Sequence, residues 1–215
     1  MGVSLRKPIV TDGLVLCLDV ANTKSYPGSG TTWTDTIGGN VGTLTNGPTF
    51  NSANGGYIAF DGTDDYTSFS SYSQPAYSTS TSFTWYVWVY PLENSNDVVI
   101  GNRGTDSNFT KLTTNKFEYF NDNVGGAMTL NEWQNICITK NGTSFTYYKN
   151  GSSTATETST ITKTSTDFFV GGDPRPGSTA ECSNCRIAAV LVYNKALTAA
   201  EVLQNYNVYK KRYNL

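Results

Sequence analysis

Residues 60 to 66 read FDGTDDY, and Asp61, Asp64 and Asp65 form a set of hard oxygen ligands close enough in the chain to hold calcium. The loop is not an EF-hand, because the full ligand series and the closing Glu of that motif are missing. Asp is also a frequent turn residue, so turn chemistry alone is the other reading of the same side chains. Trp33, Tyr72 and Tyr77 make a second set, each a ring among Ser, Gly, Thr and Pro, where loops leave aromatic faces exposed for stacking on a sugar. Trp33 anchors a long loop over Ala21 to Gly42, and for it the competing reading is a ring folded back onto the core.

Cys17, Cys137, Cys182 and Cys185 include one C-x-x-C. A tetrahedral zinc site would have to recruit all four, since the chain has no second C-x-x-C and no His. Cys17 and Cys137 lie inside apolar runs, where a thiol behaves as a small hydrophobe. Cys182 and Cys185 are reduced thiols by default and can close a local disulfide in oxidising surroundings. The lack of His also removes the usual general base and the Ser-His-Asp arrangement, so the expectation is a protein that is not an enzyme.

These groups need strands to position them. Trp133 to Lys140 and Ser144 to Lys149 are two strand-forming runs joined at Asn141-Gly142, which predicts a hairpin. Ile136 and Ile138 fall on one face and Cys137 and Thr139 on the other, and in Ser82 to Pro91 apolar groups again occupy both faces. Strands of that kind sit between a core and a further layer. Leu14 to Asp19, Tyr57 to Phe60, Tyr66 to Phe69, Val98 to Gly101, Phe109 to Leu112, Lys116 to Phe120, Asp167 to Gly172 and Arg186 to Tyr193 complete an all-β pattern. Ser152 to Thr166 reads as an exposed edge strand or a mobile loop. One short helix is predicted over Leu197 to Tyr206, with Thr198 and Glu201 as a capping box.

The chain has 215 residues, enough for one sandwich core and short for two domains. A net charge of −2 with 15% charged residues gives no footprint for nucleic acid or an anionic membrane. No run approaches the ~20 apolar residues of a membrane span, and the first residues lack the apolar region of a signal peptide and the Ser or Thr of a myristoylation signal. The expectation is a chain kept in the cytosol of its producer unless it leaves within a larger assembly. Residues 1–12 are expected as an arm that docks on a partner or frays, 13–207 as the domain, and 208–215, with Lys210, Lys211 and Arg212, as a solvated tail open to an acidic partner.

Four segments in order, FDGTDDY, SFTWYVWVYP, NEWQNICITKNGTSFTYYKNG and RIAAVLVYNKALTAAEV, resemble the laminin-G-like domains of the concanavalin A-like superfamily. The resemblance implies a jelly-roll sandwich of two antiparallel sheets with one short C-terminal helix. Glycosidases of that superfamily carry E-x-D-x-x-E or E-x-D-x-E on one strand, and Glu93, Glu118, Glu132, Glu157, Glu181 and Glu201 all lack such partners. Many relatives use an acidic residue of the last strand for a structural calcium, and here Ile187 to Val190 is IAAV. The first half of the chain is similar to laminin-G-like domains carried by virion proteins of tailed bacteriophages. That implies a head decoration, fibre or tail appendage, assembled in the host cytoplasm and located on the virion. It further implies contacts to major capsid or tail proteins, possible homo-oligomers, and a surface able to adhere to host glycans. A bacterial carbohydrate-binding or adhesion module is the alternative.

Overall fold

Alternating apolar residues organise the chain into two facing sheets, one of which carries an extra outer layer. The computed structural model describes residues 7–74, 77–94, 97–102, 108–113, 115–119, 125–160, 162–164, 166–174 and 181–215. Its strands are Leu14–Asp19 (β1), Thr32–Thr34 (β2), Val41–Thr45 (β3), Thr49–Asn51 (β4), Tyr57–Asp61 (β5), Tyr66–Gln74 (β6), Ser82–Pro91 (β7), Val98–Asn102 (β8) and Asn108–Thr113 (β9). They continue with Lys116–Tyr119 (β10), Gly126–Ala127 (β11), Gln134–Asn141 (β12), Ser144–Lys149 (β13), Ser152–Thr158 (β14), Thr166–Val170 (β15), Gly172–Asp173 (β16), Glu181–Cys182 (β17) and Asn184–Tyr193 (β18). A helix over Ala199–Tyr209 (α1) and a 3-10 turn over Lys210–Tyr213 close the chain.

The first sheet runs β14-β13-β12-β7-β18-β5-β4, with β1 also paired to β18, and the second runs β11-β10-β9-β8-β15-β6-β3-β2, with the β16–β17 ribbon at its side. Among the described residues pairing is antiparallel except for one parallel bridge, Cys182 to Val98. Ser152–Thr158 is thus an edge strand, as one of the two sequence readings had it. The central hairpin turns one residue later than expected: Asn141 pairs with Ser144, and of the two loop residues only Gly142 has positive φ, at 60°. That is the sign pattern of a type II′ turn, for which Gly at the first position suffices.

Side-chain parity sorts the core into two clusters. Ile136, Ile138, Trp85, Val87, Val89, Ile187 and Val190 face the second sheet, where Phe69, Leu112, Phe117 and Phe168 meet them. Cys137, Tyr86, Trp88, Leu191 and Tyr193 face the other way and are covered by Val10, Val202, Tyr209 and Tyr213. The first sheet is therefore buried on both faces, which its two-sided apolar strands require.

The outer layer corrects two boundaries. Residues 208–215 are not a solvated tail: Tyr209 and Tyr213 are buried, and Arg212 gives two N–H donors to Asp19 at 2.7 and 2.8 Å. Residues 8–10 of the expected arm lie on the chain's own helix, with Gln204 donating to the Pro8 carbonyl at 2.8 Å and Val10 N–H donating to Asn205 Oδ1 at 2.8 Å. Residues 1–6 of that arm, and Phe120 at the end of one expected strand, lie outside the described residues.

The helix starts where its cap predicts. Thr198 Oγ1 accepts from Glu201 N–H at 3.3 Å, and the Glu201 carboxylate accepts from Thr198 N–H at 2.8 Å. Thr198→Ala removes the hydroxyl acceptor and is expected to cost about 1 kcal/mol. In a domain of this size that lowers the unfolding temperature by about 2–4 °C, readable in a circular-dichroism melt. An unchanged melt would mean that Glu201, held by Lys195 at 2.9 Å, fixes the first turn without the hydroxyl.

Candidate functional site

The FDGTDDY segment carries the chain from the first sheet to the second at one end of the sandwich. Asp61 ends β5, and β6 begins at Tyr66 in the opposite sheet. Gly62, at φ 80°, makes the crossing; a Cβ there would meet Asn184 Cβ and Glu93 Oε1 at 2.8 Å. Asp61 Oδ1 accepts from Thr63 N–H at 2.8 Å, and Asp65 Oδ2 accepts from Asp61 N–H at 3.0 Å. The Asn46 amide donates to the Asp64 carbonyl at 2.8 Å and braces the turn from the β3–β4 side.

Both sequence readings of the three aspartates find support in that geometry. Turn chemistry takes one oxygen each from Asp61 and Asp65. One ligand oxygen from each of the three carboxylates lies within 4.8 Å of the others, a spread that oxygens bound at about 2.4 Å to one calcium ion can adopt. Asp61 and Asp64 are exposed and Asp65 is buried. Burial first, and then the charges of Asp61 and Asp64, push the Asp65 carboxyl above its ordinary value, against the Asp61 N–H that favours the ion. A cation among the three would relieve that repulsion.

Two of the three aromatic candidates are corrected. Trp33 lies on the short strand β2, fully buried between the sheets, because the Thr-Gly-rich stretch around it pairs with β3 instead of looping out. Tyr77 is stacked on Phe83 with centroids 4.3 Å apart and is only 3% exposed, although it borders a cleft of about 250 Å³ with Val15, Phe83 and Val192. Neither ring offers solvent an open stacking face. Tyr72 is half-buried, edge-on to Phe168 at 5.3 Å, and its burial pushes the phenol up to about 12. It sits toward the far end of β6, roughly 20 Å along the strand from Asp65, so the aromatic and acidic candidates do not form one site.

The structure brings other groups to the acidic end. Phe168 enters the core, so its neighbour Phe169 must face outward, and there it meets Tyr66 edge-on at 5.9 Å. Both rings are half-buried, on the face of the second sheet that also shows Ser68, Thr43 and Thr45. Parity in the DFFVGG segment was the signal available for Phe169, and Tyr66 follows from its place next to Asp65. Further along the same face Lys111 and Glu118 pair at 3.0 Å, both nearly buried, with Lys116 at 3.7 Å.

The cysteines do not form a metal centre. Cys17 on β1 and Cys137 on β12 face the outer layer, Cys185 on β18 faces the opposite way between the sheets, and Cys182 is on β17, so one ion cannot reach all four. All four are free thiols. Burial raises each of them, Cys17 to about 11 and Cys182 to about 12, which keeps them protonated at neutral pH.

No curated protein matches the chain in sequence. Among solved structures it is similar to Trypanosoma rangeli sialidase in complex with sialic acid, at a TM-score of 0.66 and 16% identity over 94% of this chain and 35% of the sialidase. It is also similar to the binding domain of botulinum neurotoxin serotype G, at 0.65 and 18% over 91% of this chain and 51% of that one. The binding domain of Paraclostridial Mosquitocidal Protein 1 gives 0.66 and 16% over 92% and 52%. The chain thus spans about a third of the sialidase and half of each toxin domain, and at these identities the likeness is one of fold. A laminin-G family model matches residues 61–203, from the acidic turn through the second turn of α1, and by that match the chain belongs to the concanavalin A-like lectin/glucanases superfamily.

Proposed function

We propose that the chain is a non-enzymatic surface module that binds glycans through the outer face of its second sheet, with the Asp61–Asp64–Asp65 turn holding calcium at the rim. The observation that carries this reading is the Tyr66–Phe169 pair, half-open on a face rich in hydroxyls and one residue from Asp65. Partly exposed rings beside hydroxyls suit a sugar, whose C–H face packs on an aromatic ring while its hydroxyls find polar partners. Among the described residues Glu118 on the same face is held by two lysines and pairs with no second carboxylate, which favours binding over glycoside hydrolysis. The superfamily and the sialic acid in the similar sialidase agree with a sugar ligand.

The module is carried, in this reading, on a tailed-bacteriophage particle as a head decoration, fibre or tail appendage, with capsid or tail proteins as partners. The resemblance of the first half of the chain to laminin-G-like virion proteins supports that placement. Two assays on the purified chain test the parts separately. A glycan array with and without calcium is expected to give a signal that Tyr66→Ala or Phe169→Ala weakens about tenfold. A blank array in both conditions sinks the glycan reading. Rebinding to particles stripped of the chain is expected as well; glycan binding without rebinding would favour a bacterial adhesion module instead.

A further inference from the structure

Helix α1 carries a second, independent surface. Ala200, Leu203, Gln204, Asn207 and Val208 on α1, and Lys211 on the 3-10 turn that follows, run along the side away from the buried Val202, Asn205 and Tyr209, and with Lys7 they line a groove of about 560 Å³. Val208, at its margin, also packs partly against the outer-layer cluster. The stripe extends roughly 17 Å, three turns of helix. Its far wall is the chain at residues 7–9, fixed to the helix by the bond from Gln204 to the Pro8 carbonyl. Leu203 is 45% exposed at the centre of the groove, one of the few large apolar side chains left open among the described residues.

Charge around this stripe is one-sided. Lys7 and Lys211 are exposed at its edges, and among the described residues neither makes an ion pair. The adjacent cations are engaged elsewhere: Lys210 lies over the Tyr206 ring and Arg212 on Asp19. Glu201, the acidic residue of the helix, is committed to Lys195 and to its own cap. Ala200, Leu203 and Val208 are the apolar members of this stripe and Gln204 and Asn207 the polar ones between them. Such a mixed groove accepts the ridge of an amphipathic helix, and unpaired lysines at both edges select carboxylates on it.

We propose that this groove docks an acidic amphipathic helix of a partner protein. The inference does not rest on the glycan reading, because the groove belongs to the outer layer of the first sheet and the sugar-facing groups to the second. The probe is a synthetic peptide of about four helical turns with Leu on one face and Glu on the others, compared with a twin carrying Lys in place of Glu. Calorimetry on the full chain is expected to show the acidic peptide binding about tenfold tighter than its twin, with the difference shrinking in high salt. Leu203→Gln is expected to abolish binding, and the Lys7→Glu, Lys211→Glu double variant to reverse the preference, both with an unchanged melting temperature. Equal binding of the twins, or an acidic preference that survives the double charge reversal, would overturn the proposal. So would binding that appears only after residues 1–6 are deleted, since the groove would then belong to the chain's own beginning.

Discussion

A chain that stops at Val208 is expected to lose its cooperative folded state. The missing residues include Tyr209 and Tyr213, whose rings lie on Trp88 at centroid distances of 6.2 and 4.6 Å; Tyr213 also lies on Trp133 at 4.6 Å. Removing a buried aromatic ring costs about 3–5 kcal/mol, and two of them approach the ~5–15 kcal/mol that holds an ordinary domain together. The same truncation takes Arg212 away from Asp19, a carboxylate 9% exposed that would be left with its charge unpaired. Expression should yield aggregated or molten material, with near-ultraviolet circular dichroism flat where the full chain shows a tryptophan signal. Arg212→Gln isolates the ionic part and should cost about 2–3 kcal/mol, less than a fully buried pair because the guanidinium is partly open to solvent. A truncated chain that melts cooperatively within a few degrees of the full one would show that the outer layer is dispensable.

That layer shows where the sequence was legible and where it was not. Apolar residues on both faces of Ser82–Pro91 and Gln134–Asn141 demanded a cover for the second face, and the cover exists. Its composition was hidden by Lys210, Lys211 and Arg212, a charge run that reads as solvated although Tyr209 and Tyr213 continue through it the buried spacing that Val202 and Asn205 begin. Long cationic side chains keep their charged ends in water while neighbours on the same turn are buried. For Trp33 the reading of a ring folded onto the core holds and the stacking one fails, but the strand that carries it was hidden. Thr32–Thr34 and Val41–Thr45 are short strands in a Gly- and Thr-rich stretch, and their pairing is set by long-range register with β6 and not by local preference. The acidic turn was visible as a motif, but its crossing between sheets was not, because nothing in a turn sequence says whether the next strand pairs with the last one. The Tyr66–Phe169 pair depends on two strands far apart in the chain, so only the outward parity of Phe169 could be read beforehand.

The acidic turn yields a pH test whose sign is fixed by Asp65. Its carboxyl is raised above 3.8 in the folded chain, chiefly by burial and then by Asp61 and Asp64, so the folded state holds a proton that the unfolded state has already released. Stability from this group is fully present below the unfolded value and is lost as pH rises through the folded one. In EDTA the contribution of Asp65 is therefore a decline in stability as pH rises from about 4 toward neutrality. Asp65→Asn should remove that decline and melt higher than the parent at pH 7 in EDTA, because its side-chain carbonyl can still accept from Asp61 N–H without bringing a third charge to the turn. Calcium reverses the order. An ion bound at a hundred times its dissociation constant stabilises the parent by about 2.7 kcal/mol, a rise of about 5–10 °C for a chain of this length. Asp64→Asn and Asp65→Asn should lose most of that response, since each removes one of the three charged ligands. Calcium shifts of equal size in all three proteins would place any bound ion elsewhere. No shift in the parent would leave the three aspartates as a turn, with the pH decline as the only trace of their crowding.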